Sequence, residues 1–399
     1  MEWKEFRSNR KSSQAKSRLE TFTTNTQMDG GRLMRAVMAL SGGMDSTGLL
    51  LRLLAEGYKV SCISYEYGQK HNIELQRAKQ NIAYLSDCGY EIEHKVADLS
   101  SAMSLFHSAL TSDEMEIPEG HYEEEQMKAT VVPNRNAIFS SILYGYALSV
   151  ALREECDVKI ALGVHSGDHA IYPDCRPEFY SAIGDAFDLG NWDSEKISFH
   201  LPYIDGDKET ILRDSLKSCK KLNLDFDIVF ANTNTSYNPD SKGRSSGTSG
   251  ADVERILAFY AIGRKDPVEY VKDWEEVLQD ALQAQLVYHV TRENGTERAF
   301  SGKFDKHFEN GEYNCVNCGI ILFTSDMKYN SGCGWPAFHS EHSQAKITRI
   351  VDKTHGMIRT EVRCSSCDSH LGHVFNDGPR KFGGERYCIN SVCLTFKEE

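Results

Sequence analysis

The sequence predicts a doubly wound α/β domain with a parallel sheet, followed by a smaller domain that carries a zinc site. Up to about residue 270, apolar strand patterns alternate with segments of helical spacing. This alternation is typical of a parallel sheet covered by helices. Beyond residue 314, two Cys-x-x-Cys pairs supply four thiols. Four thiolates make a closed tetrahedral zinc site with no open position, so we predict that this metal is structural.

The first domain begins at Arg35 with the strand Ala-Val-Met-Ala-Leu, which leads through a Ser-Gly-Gly turn into a helix. Short apolar runs predict the strands, and apolar residues at helical spacing predict the helices. The further strands fall at residues 60–65 and 158–163, and the helices at residues 47–54, 74–86, 137–152 and 253–263. The polar, acidic stretch of residues 111–126 predicts a surface loop. A second break in the pattern falls at residues 232–250, which are dense in Asn, Ser, Gly and Thr.

The composition changes after Tyr270, where apolar runs shorten and the cysteine pairs begin. We therefore divide the chain into a disordered leader of residues 1–32, a first domain of residues 33–272 and a second domain of residues 273–399. The leader is rich in Ser, Thr, Arg and Lys and lacks an apolar core, and its acidic residues suit a transit peptide poorly. We expect Met34 to be an older start of the chain.

Charge and cysteine usage restrict the classes of protein. A net charge of −13 argues against broad nonspecific binding to nucleic acid. No apolar run approaches the ~18 residues that a membrane-spanning helix needs. Of the 12 cysteines, those before residue 220 are scattered and those after residue 314 follow a zinc-and-redox pattern. This distribution favours a reducing cytoplasm over a disulfide framework.

A glycine-rich turn joins the first strand to the first helix. Glycine allows backbone amides to approach an anion closely, and the start of the helix adds a partial positive charge. The turn lacks the lysine of a Walker A loop, and a plain strand-to-helix turn is the simpler interpretation. In this position, however, SGGxDS resembles the PP-loop of ATP pyrophosphatases, which cleave ATP between the α- and β-phosphates. The residues of the turn that we assign to ATP are Ser41, Gly42, Gly43, Asp45 and Ser46.

Four further blocks lie at the ends of strands or the starts of helices, where α/β sheets bind ligands. They are YEYGQKH at residues 65–71, VPNRNAIF at 132–139, GVHSGD at 163–168 and YPDCRPEF at 172–179. Their order and content resemble 7-cyano-7-deazaguanine synthase, the queuosine-pathway family called QueC, from about residue 33 to residue 270. The resemblance implies a fold of the PP-loop type found in adenine nucleotide alpha hydrolases, with ATP, Mg²⁺ and a deazapurine-type small molecule as ligands. It also implies a homodimer and no direct contact with nucleic acid.

The resemblance suggests roles for single residues in these blocks. Arg135 and Arg176 can neutralise phosphates with two parallel hydrogen bonds, while Asp174 and Glu178 can hold a base edge or Mg²⁺. Lys208 occupies the place of a lysine that contacts phosphate. Taken singly, such residues are more often surface ion pairs. The full predicted set is Tyr67, Gln69, Arg135, Asn136, Asp174, Arg176, Glu178 and Lys208.

The reaction that the resemblance implies has two stages. ATP adenylates 7-carboxy-7-deazaguanine and pyrophosphate leaves. Ammonia then displaces AMP to give an amide, and a second ATP activates the amide for dehydration to a nitrile. Such chemistry depends mostly on positioning and on charge neutralisation.

The sequence departs from that family near the end of the first domain. The family carries four zinc cysteines there, whereas this chain has Ser236, Ser246, Ser249 and Asp252 at those positions. Hydroxyls do not replace thiolates on zinc, so we expect no metal. Three outcomes stay open: a zinc-free loop with the activity retained, a ligase that joins the activated acid to an amine of a macromolecule, or a nucleotide-binding module without catalysis.

The second domain contains two Cys-x-x-Cys pairs and further cysteines outside those pairs. Cys315, Cys318, Cys364 and Cys367 are the predicted zinc ligands, and Cys333 and Cys388 lie outside the pairs. A small zinc ribbon with stray buried cysteines is the simpler alternative. The supporting blocks are GTERAF at residues 295–300, SGCGWPAF at 331–338, HLGHVFNDGP at 370–379 and GERYCINS at 384–391.

These blocks resemble methionine-R-sulfoxide reductase of the B type. The resemblance implies a small β-rich, barrel-like domain with zinc pinning its ends. It also implies oxidised protein methionine as substrate and thioredoxin or a similar protein as reductant. In that chemistry Cys388 attacks the sulfoxide sulfur, and Cys333 resolves the resulting sulfenic acid as a disulfide.

The other predicted residues of this site assist the thiols. Arg386 would share one side of a strand with Cys388 and lower the pKa of its thiol. His370 and His373 would protonate the sulfoxide oxygen, with Asp377 orienting one of them. Single histidines are more often structural. The remaining predicted roles are a methyl pocket and a hydrogen bond within the site, assigned to Trp335, Phe375 and Asn390.

Overall fold

The computed structural model describes residues 34–69, 73–108, 125–167, 171–236 and 239–399, without the side chains of residues 125–127 and 355. The predicted leader of residues 1–32 lies outside these ranges. The chain forms two compact units, one ending at Ala281 and the other beginning at Leu282. None of the helices in the described part combines the length and the apolar character that a membrane crossing requires.

The first unit contains a five-stranded sheet in which every neighbouring pair is parallel. Its strands stand in the order β3-β2-β1-β4-β5. The strand bounds are β1 Arg35–Ala39, β2 Lys59–Glu66, β3 Glu93–Asp98, β4 Val158–Ala161 and β5 Ile197–His200. The sheet confirms the predicted doubly wound class. Because β2 and β4 lie on opposite sides of β1, the strand order reverses there, and such a switch point leaves a crevice at the carboxyl ends of the strands.

Helices cover both faces of this sheet. Their bounds are α1 Met44–Glu56, α2 Ile73–Asp87, α3 Ser100–Met103, α4 Arg135–Glu154, α5 Pro177–Gly190, α6 Lys208–Leu222, α7 Phe226–Ala231 and α8 Gly250–Ala261. A further helix, α9 Trp274–Thr291, contains the division between the two units. Successive strand residues point to opposite faces. Met38 and Cys62 therefore pack with α1, α2 and α6–α8, whereas Val37 and Ile63 pack with α4 and α5.

The second unit is built from antiparallel strands. A six-stranded sheet has the order β10-β11-β12-β13-β9-β8, and a three-stranded sheet has the order β14-β6-β7. This architecture confirms a β-rich domain. The strand bounds are β6 Gly311–Cys315, β7 Ile321–Thr324, β8 Lys328–Tyr329, β9 Ala337–Phe338, β10 Ile347–Asp352, β11 Arg359–Cys364, β12 His370–Phe375, β13 Arg386–Ile389 and β14 Leu394–Glu398.

Helix α8 carries a fully buried ion pair. The guanidinium of Arg255 forms two hydrogen bonds to Asp266, at 2.6 and 2.9 Å, and both side chains are at most 1% exposed. Its remaining donors reach Thr233 and Thr235 at 2.7 and 3.0 Å and the backbone oxygen of Phe230 at 3.2 Å. A buried guanidinium is tolerated because every part of it is hydrogen-bonded.

We predict that Asp266→Ala destabilises the first unit by about 3–5 kcal/mol, because it leaves the Arg255 charge buried without its counterion. The free energy of unfolding from chemical denaturation measures the loss. Asp227→Ala is the matched control, because Asp227 pairs with Arg264 where the side chains are 55% and 39% exposed. Exposed pairs contribute at most about 1 kcal/mol. Equal losses in the two variants would contradict the prediction.

Candidate functional site

The turn after β1 folds into a compact loop at the start of α1. The Ser41 hydroxyl accepts a hydrogen bond from the Gly43 amide at 3.1 Å and lies 3.0 Å from the Ser46 hydroxyl. Gly42 has a φ of 91°, and a Cβ there would lie 2.0 Å from the backbone oxygen of Glu74. Glycine is therefore required at this position. These contacts fix the loop directly before the N-terminus of α1. The N-terminus of a helix is a favourable place for an anion.

The loop forms one wall of a cavity of about 270 Å³. Nine predicted residues line it, namely Ser41, Gly43, Asp45, Ser46, Tyr67, Gln69, Arg135, Asn136 and Lys208. Gly42, Asp174, Arg176 and Glu178 are not among the lining residues. Asp174 lies next to them, because it accepts a hydrogen bond from the Asn136 amide at 3.3 Å.

A network of four charged or titratable groups reaches the cavity through Asp45 and Lys208, which line it. Lys208 Nζ lies 3.2 Å from Asp45 Oδ2, 2.9 Å from His165 Nε2 and 3.0 Å from Glu254 Oε2. Burial raises the pKa of Asp45, but Lys208 and His165 outweigh it and hold that pKa well below its usual range. Sequence reasoning assigned no role to His165 or Glu254. His165 belongs to a quoted block, but nothing in the sequence places Glu254 of α8 beside Lys208.

Aromatic side chains and a second acidic group line the opposite part of the cavity. Tyr65 stacks on Phe139 at 4.0 Å between ring centroids, and Tyr67 meets the same ring edge-on at 5.6 Å. Burial raises the pKa of Glu74 to about 7, against the opposing charge of Arg135. No signal in the sequence pointed to Glu74, because the motif at residues 65–71 ends before it and Glu74 lies in the first turn of α2.

Gln69 uses both ends of its amide on the backbone. Its oxygen accepts from the Tyr67 amide at 2.8 Å, and its nitrogen donates to the Tyr65 oxygen at 3.3 Å. The side chain thereby shapes the strand end at the cavity, in addition to lining it.

The four positions where QueC proteins carry zinc cysteines converge here as well. We call Ser236, Ser246, Ser249 and Asp252 the serine–aspartate cluster. Asp252 Oδ2 accepts hydrogen bonds from the three hydroxyls at 2.8, 2.9 and 2.8 Å and from the Gly247 amide at 3.2 Å. Burial raises the pKa of Asp252, and these four donors oppose that rise.

The four thiols of the second unit form a different kind of cluster. All four sulfur atoms lie within 4.8 Å of one another. Cys315 and Cys367 are 3.7 Å apart, and Cys318 and Cys364 are 3.6 Å apart. A tetrahedron with Zn–S bonds of ~2.3 Å has edges of roughly 3.8 Å, so the thiols fit a structural zinc ion. Because Cys315 ends β6 and Cys364 ends β11, such an ion would join the two sheets.

The two cysteines outside the pairs face each other. Cys388 Sγ on β13 and Cys333 Sγ before β9 are 3.7 Å apart. Hydrogen bonding with Cys388 lowers the pKa of Cys333 to about 5, whereas the same bond raises the pKa of Cys388. The charge of Arg386 lowers both pKa values. The pair therefore loses its first proton readily and retains the second.

Strand register sets the catalytic face of this unit. His373 of β12 stands directly opposite Cys388 of β13, and Phe375 stands opposite Arg386. Opposite residues of antiparallel strands point to the same face. The Arg386 guanidinium lies 4.7 Å from the centre of the Phe375 ring.

The predicted role of Asp377 is wrong. Its carboxylate pairs with Arg386 through two bonds of 2.8 Å and does not orient a histidine. The carboxylate on His373 Nε2 is Asp352, at 2.9 Å. His370 Nδ1 is 2.6 Å from Glu361. Both acidic residues come from neighbouring strands β10 and β11, which the local motif could not indicate.

Two further predicted residues tie the segment at residues 295–300 to the site. Asn390 accepts from the Glu297 amide at 3.1 Å and donates to the Leu371 oxygen at 3.1 Å. Trp335 donates its indole hydrogen to the Glu297 backbone oxygen at 3.2 Å. The Glu297 carboxylate accepts from the backbone amides of Ser391 and Val392, so it holds the turn that follows the Cys388 strand.

A glycine loop at the switch point of a parallel sheet is typical of a nucleotide-binding unit, and a pair of facing thiols on an antiparallel sheet is typical of a thiol redox unit. Residues 35–263 match the family model described as queuosine biosynthesis protein QueC, and residues 283–398 match the SelR domain. The chain therefore belongs to the QueC family in its first unit and to the methionine-R-sulfoxide reductase B family in its second.

Three relatives illustrate the match. The chain is 43% identical over 237 residues to a 7-cyano-7-deazaguanine synthase of Methanoregula boonei, covering 59% of this chain and 99% of that protein. It is 42% identical over 245 residues to the synthase of Caldicellulosiruptor saccharolyticus, covering 61% and 99%. It is 56% identical over 128 residues to the probable methionine-R-sulfoxide reductase B of Caenorhabditis elegans, covering 32% and 81%.

The shared proton of the thiol pair predicts a pH profile. We expect alkylation of the pair by iodoacetamide to persist down to about pH 5, because the thiolate is present above the pKa of Cys333. Cys388→Ala removes the hydrogen bond that lowers this pKa, so the midpoint should move upward. Cys88→Ala, at an exposed cysteine of the first unit, is the control. If the alkylation rate of the unmodified chain had its pH midpoint in the ordinary range of a free thiol, the two thiols would not share a proton.

Proposed function

We propose that this chain is a bifunctional enzyme. Its first domain, residues 33–272, converts 7-carboxy-7-deazaguanine or a related acid, at the expense of ATP, into an amide and a nitrile. Its second domain, residues 273–399, reduces methionine-R-sulfoxide in proteins. The relatives support one activity for each unit. Within the molecule, the convergence of the predicted residues on one site in each unit supports the same assignment.

In the first domain, we propose that the loop and Lys208 hold the phosphates of ATP. The substrate carboxylate attacks the α-phosphorus and pyrophosphate leaves, which gives an acyl-adenylate. Ammonia attacks the carbonyl carbon and AMP leaves with the formation of the amide. The amide oxygen then attacks the α-phosphorus of a second ATP and a second pyrophosphate leaves, after which loss of AMP and protons gives the nitrile. Positive groups that are fixed before the reaction stabilise the charge that develops on phosphate.

Two carboxylates are proposed for Mg²⁺. Asp45 Oδ1 and Asp174 Oδ1 are buried and have no hydrogen-bond partner within the described residues, as open ligand oxygens would. The ion, when bound, would add positive charge at the phosphates. Glu178 and Arg176 are proposed to contact the substrate from the start of α5.

The proposal predicts AMP and pyrophosphate release from ATP, Mg²⁺ and 7-carboxy-7-deazaguanine, with a nitrile formed only when ammonium is present. Mass spectrometry of the products measures this. AMP release without nitrile would instead indicate a ligase with another amine as acceptor. Absence of turnover would indicate a nucleotide-binding module and would contradict the proposal for this domain.

A matched pair of variants assigns the activity to the cavity. Lys208→Ala should reduce kcat/KM for ATP on the order of 10²-fold, because it removes a charge proposed to stabilise phosphate. Lys217→Ala lies on the same helix at an exposed position and should leave kcat/KM unchanged. Equal effects of the two would contradict the assignment.

In the second domain, we propose that the Cys388 sulfur attacks the sulfoxide sulfur and passes its proton to the neighbouring Cys333 thiolate, while His373 protonates the oxygen. Methionine leaves and Cys388 becomes a sulfenic acid. The Cys333 thiol, 3.7 Å away, attacks that sulfur, and water leaves as the disulfide forms. Thioredoxin or a similar dithiol protein then reduces the disulfide. Asp352 orients His373, and Trp335 and Phe375 enclose the methyl group.

We predict different defects for the two thiols. Cys388→Ser should abolish reduction, whereas Cys333→Ser should still form one methionine per chain in a single turnover and accumulate a sulfenic acid. Dimedone labelling and mass spectrometry identify that acid. Cys88→Ser is the control and should keep full thioredoxin-dependent turnover. Sustained thioredoxin-dependent turnover by Cys333→Ser would exclude Cys333 as the resolving thiol.

A further inference from the structure

We propose that the serine–aspartate cluster replaces a metal ion as the brace of the nucleotide cavity, with Asp252 as a positioning residue that fixes Lys208 through helix α8. The first unit then needs no zinc to keep its cavity assembled, although QueC proteins carry four zinc cysteines at these positions. The part of the inference that concerns catalysis depends on the proposed synthase activity. The part that concerns the metal does not.

The geometry of the cluster does not fit a metal ion. In a metal site the ligands surround an ion, and oxygen ligands at ~2.0 Å in a tetrahedron lie roughly 3.3 Å apart. Here the hub is Asp252 Oδ2 itself, with the Ser236, Ser246 and Ser249 hydroxyls 2.8–2.9 Å away, which is hydrogen-bond distance. A neutral hydroxyl is also a poor zinc ligand.

Each serine hydroxyl both donates to the carboxylate and accepts from a backbone amide, which belongs to the loop for Ser236 and Ser246 and to α8 for Ser249. Ser236 accepts from the Ser246 amide at 3.3 Å, and Ser246 accepts from the Thr248 amide at 3.3 Å. Ser249 accepts from the Asp252 amide at 3.2 Å, which makes it the N-cap of α8. The network therefore ties the loop to the helix with directed bonds where the relatives of the family use a metal.

The cluster is continuous with the cavity. Ser236 and Ala251 line the cavity directly. Glu254, two residues after Asp252 on α8, contacts Lys208 at 3.0 Å. A shift at the start of α8 would therefore move the carboxylate that holds Lys208 beside the phosphate loop.

Metal content and chelation test the first part of the inference. The full chain should contain one zinc ion, held by Cys315, Cys318, Cys364 and Cys367. A zinc chelator with Mg²⁺ in excess should lower the melting temperature of the second unit. It should leave the rate of AMP formation within about twofold of the untreated rate, whereas loss of groups that support a functional metal typically costs about tenfold or more. Two zinc ions per chain, or loss of AMP formation that zinc restores, would overturn the proposal.

Variants of Asp252 test the second part. Asp252→Ala removes the hub and should raise KM for ATP at least about tenfold, with a smaller change in kcat. Asp252→Asn keeps one hub oxygen and should recover most of that loss, because Asp252 Oδ1, the other carboxylate oxygen, has no hydrogen-bond partner among the described residues. Asp157→Ala, at an exposed position, is the control. Native KM in Asp252→Ala would contradict the positioning role.

A gain-of-metal variant completes the design. Ser236→Cys, Ser246→Cys, Ser249→Cys and Asp252→Cys, made together, should bind a second zinc ion and make AMP formation sensitive to the chelator. A folded quadruple variant that binds only one zinc ion would show that the four positions do not keep the frame of a metal site, and would overturn the replacement. If that variant does not fold, the native chelation result and the two Asp252 variants decide. A native chain that forms no AMP would contradict the proposed function, and its zinc content would still decide on the cluster.

Discussion

The first unit depends on how charge is buried along one helix. Helix α8 places Asp252, Glu254 and Arg255 within one turn, and each is bound by a different set of partners. Asp252 takes three hydroxyls, Glu254 takes Lys208, and Arg255 takes Asp266. Because buried charges are costly without partners, these bonds fix the helix relative to the sheet, the loop and the cavity at once.

In the second unit, strand pairing positions the residues of the site, and a cluster of thiols lies where the two sheets end. The register of β12 and β13 puts His373 against Cys388, and the neighbouring strands supply Asp352 and Glu361. The zinc-type cluster lies at strand ends in two separate sheets. The register of one sheet therefore positions the reactive thiols, and a zinc ion bound by the four-thiol cluster would join the two sheets.

The sequence predicted what depends on short stretches of chain. Some motifs could be identified because a few consecutive residues indicate their chemistry. These motifs are the Ser-Gly-Gly turn, the two Cys-x-x-Cys pairs and the segment around Cys388. The sheet class followed from alternating patterns, and helices near α1, α2, α4 and α8 followed from spacing. The edge strand β3, with the polar sequence EHKVAD, carries no clear pattern and was missed.

What the sequence could not predict came from tertiary register. Asp377 was placed on a histidine because it stands close in sequence, but antiparallel pairing brings it to Arg386. Glu254 reached Lys208, and Asp352 reached His373, from elements distant in the chain. The loss of the zinc cysteines was visible in the sequence, whereas the closed hydrogen-bond network that takes their place required coordinates.

The serine–aspartate cluster also has a chemical consequence for a chain that carries a sulfoxide reductase. Oxidants that convert methionine to its sulfoxide also attack thiolates, and zinc thiolates lose their metal as they are oxidised. Hydroxyls and a carboxylate have no such reaction. The serine–aspartate cluster therefore consists of groups that are inert under the conditions that create the substrate of the second unit, and among the two clusters described only the four-thiol cluster of that unit would lose a metal by oxidation.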